Sequence, residues 1–287
     1  QYGLLMSEFT NSPVSKNLEY AYDDWCIAQF AKIAGNDDLY KHYMERAQSY
    51  KNIYEEKTKF FRAKSNYSFV EPFDPYEVNS YYTEANAWQY RYYVPQDIEG
   101  WKKLLGGSDA LEQILDNLYN ANTETTGHEQ SDMTGFIGQY VHGNEPSHHM
   151  AYLYNYTNNP WKAQPVIKKL VDEMYTNKPD GLAGNEDCGQ MSAWYVLSAM
   201  GFYPVNPCGG IYDLGYPLFK SVKMSLPLGK VFTINTDKKS ADAIYPASLK
   251  MNGRAYNNNY INHKDLFGGG TFTFTLAGVP DKKFSAS

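Results

Sequence analysis

Apolar positions recur at helical spacing through the first two-thirds of the chain and alternate in the last third. Leu18, Tyr22, Trp25, Cys26 and Phe30 fall three to four residues apart before Gly35-Asn36-Asp37 interrupts them, which predicts a helix over residues 15–34. The stripe Leu39, Tyr43, Met44, Ala47, Tyr50 and Tyr54 predicts a second helix over 37–55, antiparallel to the first. From Lys57 to Val78 the chain is aromatic and loop-like, and Pro72 and Pro75 forbid a long helix. A short helix is expected over 81–90, broken near Pro95 and resumed at Asp97, with an amphipathic one over 109–119. Pro146 marks a helix start that reaches about Tyr156, and Pro160-Trp161 opens another that ends near Thr176. Met191, Trp194, Tyr195, Leu197, Ser198 and Met200 leave almost no polar face, so the helix before Phe202-Tyr203-Pro204 is expected to be buried on most sides.

After Pro204 the period changes to two. Residues 221–226, 231–235 and 271–276 alternate, and Asn252-Gly253 is a hairpin signal, with His263 and Asp265 read as turn residues. Helical hairpins alternating with loops, without strands, describe a mainly α fold over residues 1–205. The architecture expected is a partial (α/α)6 barrel, a toroid of helical hairpins, with a small antiparallel β module over 206–287 packed on it. Fewer helices are counted than a complete six-hairpin toroid has, so part of the barrel is expected to precede Gln1.

Composition narrows the function classes. The chain has 287 residues, 43% of them hydrophobic, enough for one large core or a core plus a small module. Its 27 Tyr and 5 Trp suit surfaces that stack on sugars or flat ligands. A net charge of -6 without a basic run argues against nucleic acid and anionic membranes. Cys26, Cys188 and Cys208 lack any CxxC spacing, so neither a disulfide scaffold nor a zinc site is indicated. No apolar stretch approaches the ~18 residues of a membrane span. The opening at Gln1, with no signal-peptide pattern, reads as a piece of something longer.

Three carboxylates share one setting: Glu84, Glu145 and Asp187 lie at or just before expected helix starts, flanked by Asn, Gly or Thr. Asp187 with Gln190 three residues on matches a capping box, so one reading makes Asp187 a cap and Glu186 its solvated neighbour. The other makes all three functional, because in a toroid the inner helix starts gather at one mouth and their free N–H groups favour charged carboxylates. Separated acids beside Trp and Tyr suit glycoside cleavage, one protonating the leaving oxygen and another activating water. Asn144, Asn185 and Gln190 add the hard oxygen ligands that Ca²⁺ prefers. His142, His148 and His149 invite a zinc reading, which the adjacency of the last two opposes; sugar contact and a structural role stay open for each. Trp88 and Trp194 read as core or as sugar platforms.

The segments Tyr82-Thr83-Glu84-Ala85-Asn86-Ala87-Trp88-Gln89-Tyr90, His142-Gly143-Asn144-Glu145-Pro146-Ser147-His148-His149 and Gly184-Asn185-Glu186-Asp187-Cys188-Gly189-Gln190-Met191-Ser192-Ala193-Trp194 resemble the signature blocks of glycoside hydrolase family 92. Leu18-Glu19-Tyr20-Ala21-Tyr22-Asp23-Asp24-Trp25 and Ala199-Met200-Gly201-Phe202-Tyr203-Pro204 are similar too, so the resemblance covers nearly the whole chain. It implies a Ca²⁺-dependent, inverting, exo-acting α-mannosidase, taking α-1,2-linked mannose from oligosaccharides such as N-glycans. It also implies an N-terminal β-sandwich domain in the same parent chain and a periplasmic, secreted or cell-surface location in a bacterium. By position, Glu84 resembles the general acid and Asp187 the general base, with Glu186 the alternative base. Asn144, Glu145 and Gln190 resemble the metal region, and His142, Glu145, His148, His149 and Trp88 the sugar contacts. Two departures are Glu84-Ala85 where the family usually has Glu-Gly, and Pro95-Gln96-Asp97 where Pro-His-Asp is expected.

Two other classes fit the same residues. One is another (α/α)6 carbohydrate enzyme of α-glucosidase type; a phosphorylase would need a basic phosphate-binding cluster that is not seen. The other is a non-catalytic sugar-binding fragment.

Overall fold

A pair of helices opens the structure, a computed structural model that describes residues 3–281. Helix α1 (Pro13–Ile33) starts on a proline at N1, where a missing N–H costs nothing. Asn17 pins its first turn by bonding both the N–H and the carbonyl of Leu5, at 2.9 and 2.8 Å. Helix α2 (Asp37–Arg46) is capped by Asn36, whose side chain accepts the Leu39 N–H at 3.1 Å. Arg46 grips both oxygens of Asp24 at 3.0 Å and ties the pair together. The second helix ends earlier than its stripe predicts. A 3₁₀ turn, Ser49–Ile53, follows, and it buries Tyr50 and Ile53 three residues apart, the spacing a 3₁₀ turn aligns.

The chain divides into two compact units, Gln1–Ser147 and His148–Ser287. In the first, short ladders occupy the aromatic stretch: β1 (Tyr54–Glu55) with β2 (Phe60–Phe61), and β3 (Lys64–Ser65) with β4 (Ser68–Phe69). β5 (Glu77–Val78) runs parallel to β6 (Thr126–Gly127), and β7 (Phe136–Ile137) pairs with β8 (Tyr140–Val141). Helices α3 (Ala87–Tyr90), α4 (Ile98–Leu105) and α5 (Ser108–Asn120) lie between them. Buried Arg62 organises the ladder region, with Glu55 at 2.6 Å, Glu71 at 2.8 Å and the Phe73 ring 4.3 Å from its guanidinium.

The second unit begins with 3₁₀ segments, Met150–Tyr156 and Pro160–Lys162, where a longer helix and a helix start are expected. Three tyrosines and an asparagine in seven residues are weak α-formers. Helices α6 (Ala163–Glu173) and α7 (Gln190–Met200) follow. Met191, Trp194, Ser198 and Ala199 are the buried face of α7, whereas Ser192, Ala193 and Val196 are exposed, so the helix is one-sided rather than buried on most sides. Gly201 ends it at φ 100°, a conformation glycine alone adopts without strain.

Two sheets complete this unit. β9 (Phe202–Tyr203), β10 (Ile211–Leu214) and β15 (Tyr260–Asn262) form one, with β10 central. The other orders β11 (Ser221–Ser225), β12 (Val231–Lys238), β16 (Gly270–Ala277), β13 (Tyr245–Met251) and β14 (Arg254–Tyr256). Asn252 and Gly253 both have positive φ, 52° and 79°, the twist a two-residue hairpin needs. The module is not wholly antiparallel. β12 and β16 pair in parallel from Phe232↔Gly270 to Lys238↔Leu276, because the connection between them, carrying β13, β14, β15 and α8 (His263–Gly268), crosses over instead of turning back.

The expectation of a mainly α fold, a partial (α/α)6 toroid, is therefore corrected. Among the described residues, helix makes up 39% and strand 21%, in several sheets, so the architecture is mixed α and β. Period-3.6 patterning misses strands of two residues, which have no room for a period of their own.

Candidate active site

Glu84 stands on a turn that other side chains hold in an unfavourable shape. Its φ is 50°, a left-handed conformation that costs a non-glycine residue on the order of 1 kcal/mol. On one side the Thr83 N–H donates to Ser15 Oγ at 2.8 Å. Beyond it, the Glu84 carbonyl accepts from Asn144 Nδ2 at 2.8 Å. Asn86 then caps α3: its Oδ1 accepts the Trp88 N–H at 2.9 Å, while Gln89 Oε1 accepts the Asn86 N–H at 2.8 Å. Fully buried Gln139 locks this cap, accepting from Asn86 Nδ2 at 3.0 Å and from Gln89 Nε2 through its carbonyl at 2.6 Å. The Glu84 side chain itself is exposed in this chain, two residues ahead of the N-cap.

Asn144 brings the second block to the first. Its Oδ1 accepts the Glu145 N–H at 3.1 Å, so one amide holds the Glu84 carbonyl and the backbone of half-buried Glu145 together. His142 lies inside the unit, with Nδ1 2.8 Å from Tyr140 Oη and its N–H on the Gly135 carbonyl. Trp88 is 8% exposed, edge-on to Phe60 and against Tyr76, and its Nε1 is buried without a hydrogen bond. Both are placed as core residues. Gln96, at the departure from the family pattern, reaches the Ala47 carbonyl at 3.4 Å.

In the second unit, Asp187, Cys188 and Gly189 run consecutively left-handed, at φ 47°, 57° and 90°, immediately before α7. The capping expected of Asp187 is carried out by its neighbour. Glu186 Oε1 accepts the Ser192 N–H at 3.0 Å and Oε2 accepts the Ser192 hydroxyl at 2.9 Å, satisfying a first-turn donor of the helix. The N-cap position is Gly189, which has no side chain to offer. Asp187 contributes its carbonyl to the turn, accepting the Gln190 N–H at 3.2 Å, and its exposed carboxylate is left outside the capping contacts.

Gln190 gathers the rest of this group. Its Nε2 donates to His148 Nδ1 at 3.1 Å and to Tyr203 Oη at 3.0 Å, so the side-chain oxygen is the atom left for a ligand, and His148 presents an unprotonated Nδ1. The His148 carbonyl accepts from Trp194 Nε1 at 2.9 Å, and Tyr175 stacks flat on Trp194 with ring centres 5.9 Å apart. His148, His149 and Trp194 are all buried. Tyr203 and Tyr175 were missed in the sequence because one tyrosine among 27 carries no signal of its own. Gln89 and Gln139 were missed too, although Asn86-Ala87-Trp88-Gln89 is a readable capping pattern.

Among the described residues, no group of three or more His, Cys, Asp or Glu side chains is placed to hold a metal ion. The candidate donors Asn144, Glu145 and Gln190 offer only oxygen, one carboxylate and two amides. That chemistry suits a hard cation such as Ca²⁺ and not zinc.

The family model described as the glycosyl hydrolase family 92 catalytic domain matches residues 2–278. The chain belongs to this family. A solved family 92 α-mannosidase of Bacteroides thetaiotaomicron, in complex with mannoimidazole, is similar to it at 38% identity and TM-score 0.93, over 99% of this chain and 39% of that one. A family 92 inverting mannosidase from Bacteroides thetaiotaomicron VPI-5482 matches at 35% identity and TM-score 0.89, over 100% of this chain and 40% of that one. A curated relative in Arthroderma benhamiae, described as an uncharacterized secreted glycosidase, is 26% identical over 304 residues, covering 96% of this chain and 37% of its own length. This family 92 chain thus spans about two-fifths of the length of its relatives. Among its described residues, no helix is long and apolar enough to cross a membrane.

Proposed function

We propose that the whole protein hydrolyses terminal, non-reducing α-linked mannose from glycans, α-1,2-linked mannose first among them, with inversion of configuration. One observation carries the assignment of roles: Glu84 and Asp187, at φ 50° and 47°, are exposed carboxylates held on left-handed backbone, while Glu186 beside Asp187 serves as a helix cap. Strain retained at two acids in two separate segments supports a functional use for both. The mannosidases among the solved relatives support the sugar, and the one described as inverting supports the stereochemistry.

Glu84, in its protonated form, donates to the glycosidic oxygen as the bond to the anomeric carbon breaks. Asp187, ionised, takes a proton from the water that attacks the opposite face, and that water's oxygen becomes the new anomeric hydroxyl. The left-handed turns set the direction in which each carboxylate leaves the backbone. Asn144 and Glu145 would hold Ca²⁺. Bound there, the ion would supply a hard Lewis acid for mannose hydroxyls. His148 fixes the Gln190 amide so that its oxygen is presented. The curated relative's description as secreted supports a location outside the cytoplasm.

The test is mannose release from α-1,2-mannobiose by the full-length parent protein, with Ca²⁺ or with a chelator, beside Glu84→Gln and Asp187→Asn. Each substitution is expected to cost about 10²–10⁴-fold in rate, the usual worth of general acid–base catalysis, and chelation to abolish turnover. Full activity in either variant would remove that residue from its role, and full activity in chelator would remove the metal.

A further inference from the structure

One half-buried carboxylate outside the residues assigned above reaches the helix that follows Glu84. Glu19 lies on α1 with Ser15 one helical turn before it, and its Oε1 accepts the Tyr90 hydroxyl at 3.0 Å. Tyr90 is 2% exposed and closes α3, the helix directly after Glu84. Ser15, 1% exposed, accepts the Thr83 N–H at 2.8 Å. Two residues one turn apart on α1 therefore grip the two flanks of Glu84: Ser15 Oγ takes the Thr83 N–H before it, and the Glu19 carboxylate takes the Tyr90 O–H at the end of the helix after it. A hydrogen bond to a carboxylate is stronger than one between neutral groups. Burial raises the Glu19 carboxyl above its ordinary range, the Tyr90 hydrogen bond works against that rise, and Asp23 one turn further on adds to it.

We propose that Glu19 is a positioning residue for the general acid: through Tyr90 it anchors α3 directly after Glu84, and with Ser15 on Thr83 and Asn144 on the Glu84 carbonyl it keeps Glu84 in the left-handed turn from which it serves a leaving group. The inference rests on the reading of Glu84 as that acid. A leucine or methionine at position 19 would fill much the same space, but the Tyr90 hydroxyl would lose its acceptor.

A purely structural residue and one that aims the acid differ in which substrates they affect. The parent protein and its Glu19→Gln, Glu19→Ala, Tyr90→Phe and Glu84→Gln variants are assayed on α-1,2-mannobiose, whose sugar leaving group needs a proton, and on 2,4-dinitrophenyl α-mannoside, whose phenolate leaves without one. Glu19→Ala and Tyr90→Phe are expected to lose about 10–100-fold in kcat on the disaccharide and less than about threefold on the aryl mannoside, a smaller copy of the Glu84→Gln split. Glu19→Gln keeps an acceptor oxygen without the charge and falls between wild type and alanine. Equal losses on both substrates, or no loss on either, overturn the positioning role while leaving the proposed reaction intact. A Glu84→Gln variant without the split overturns the acid assignment and this inference with it, as does a wild-type protein inert on both mannosides.

Discussion

At the scale of single residues, the pair Glu186-Asp187 shows how a fold divides labour between adjacent carboxylates. Glu186 satisfies the N–H and hydroxyl of Ser192, a stabilising contact, while Asp187 sits on strained backbone and makes no such contact. The two substitutions should therefore separate. Glu186→Ala is expected to lower stability by about 1 kcal/mol, the usual worth of a cap, and to leave catalysis within a few-fold if the loop keeps its shape. Asp187→Asn should leave the melting temperature unchanged, since asparagine tolerates φ > 0 as well as aspartate, and should lower turnover by about 10²–10⁴-fold. Thermal melts and initial rates on the same preparations decide it. A Glu186→Ala variant that is inactive yet fully stable would move the base to Glu186. This division could not be read from the sequence, where Asp187 with Gln190 looks like the cap. The helix starts two residues later, with Gly189 as its N-cap, and a carboxylate reaches its first turn only from position 186. Asn86 with Gln89, by contrast, is a cap that its spacing announces.

At the scale of elements, legibility followed length. Helices α1, α5 and α6 and strands β11, β12 and β16 carry enough periods to be placed within a few residues. The two-residue ladders of the first unit do not, and the parallel register of β12 with β16 depends on contacts about 40 residues apart that no local pattern encodes. The three-stranded sheet also hides a charge. Asp213, on its central strand, is 2% exposed; its Oδ2 accepts the Val205 N–H at 3.3 Å, and burial pushes its carboxyl up to about 7 despite hydrogen bonds from Val205 and Tyr156. The folded pKa lies above the unfolded one, so the native state holds a proton that the unfolded chain has already released. Stability from this group is fully present below about pH 4 and is lost as pH rises to about 7, with a total swing of a few kcal/mol. Asp213→Asn, which keeps an acceptor and cannot ionise, should flatten the fall in unfolding free energy between pH 4 and 7. Parallel denaturant titrations of wild type and variant that show the same slope would mean that Asp213 does not hold its proton.

At the scale of the whole molecule, the three signature blocks pointed to the family, yet the fold class was misjudged. Family blocks report on residues around a site, whereas fold class reports on the ladders and 3₁₀ turns between them, so one can be clear while the other is not. What those residues do together is best read from the product. If Asp187 activates water while Glu84 protonates the leaving oxygen, each turnover has a single displacement and the anomeric centre inverts once. The first-formed sugar from an α-mannoside should then be β-mannose, seen by proton NMR before mutarotation mixes the anomers. A covalent glycosyl intermediate on either carboxylate would add a second displacement and deliver α-mannose first. That outcome would turn Asp187 from a base into a nucleophile and would require the two carboxyl groups to stand about 5–5.5 Å apart, leaving no room for an intervening water. Since Asp187→Asn would be impaired under both schemes, the anomer and not the mutant distinguishes them.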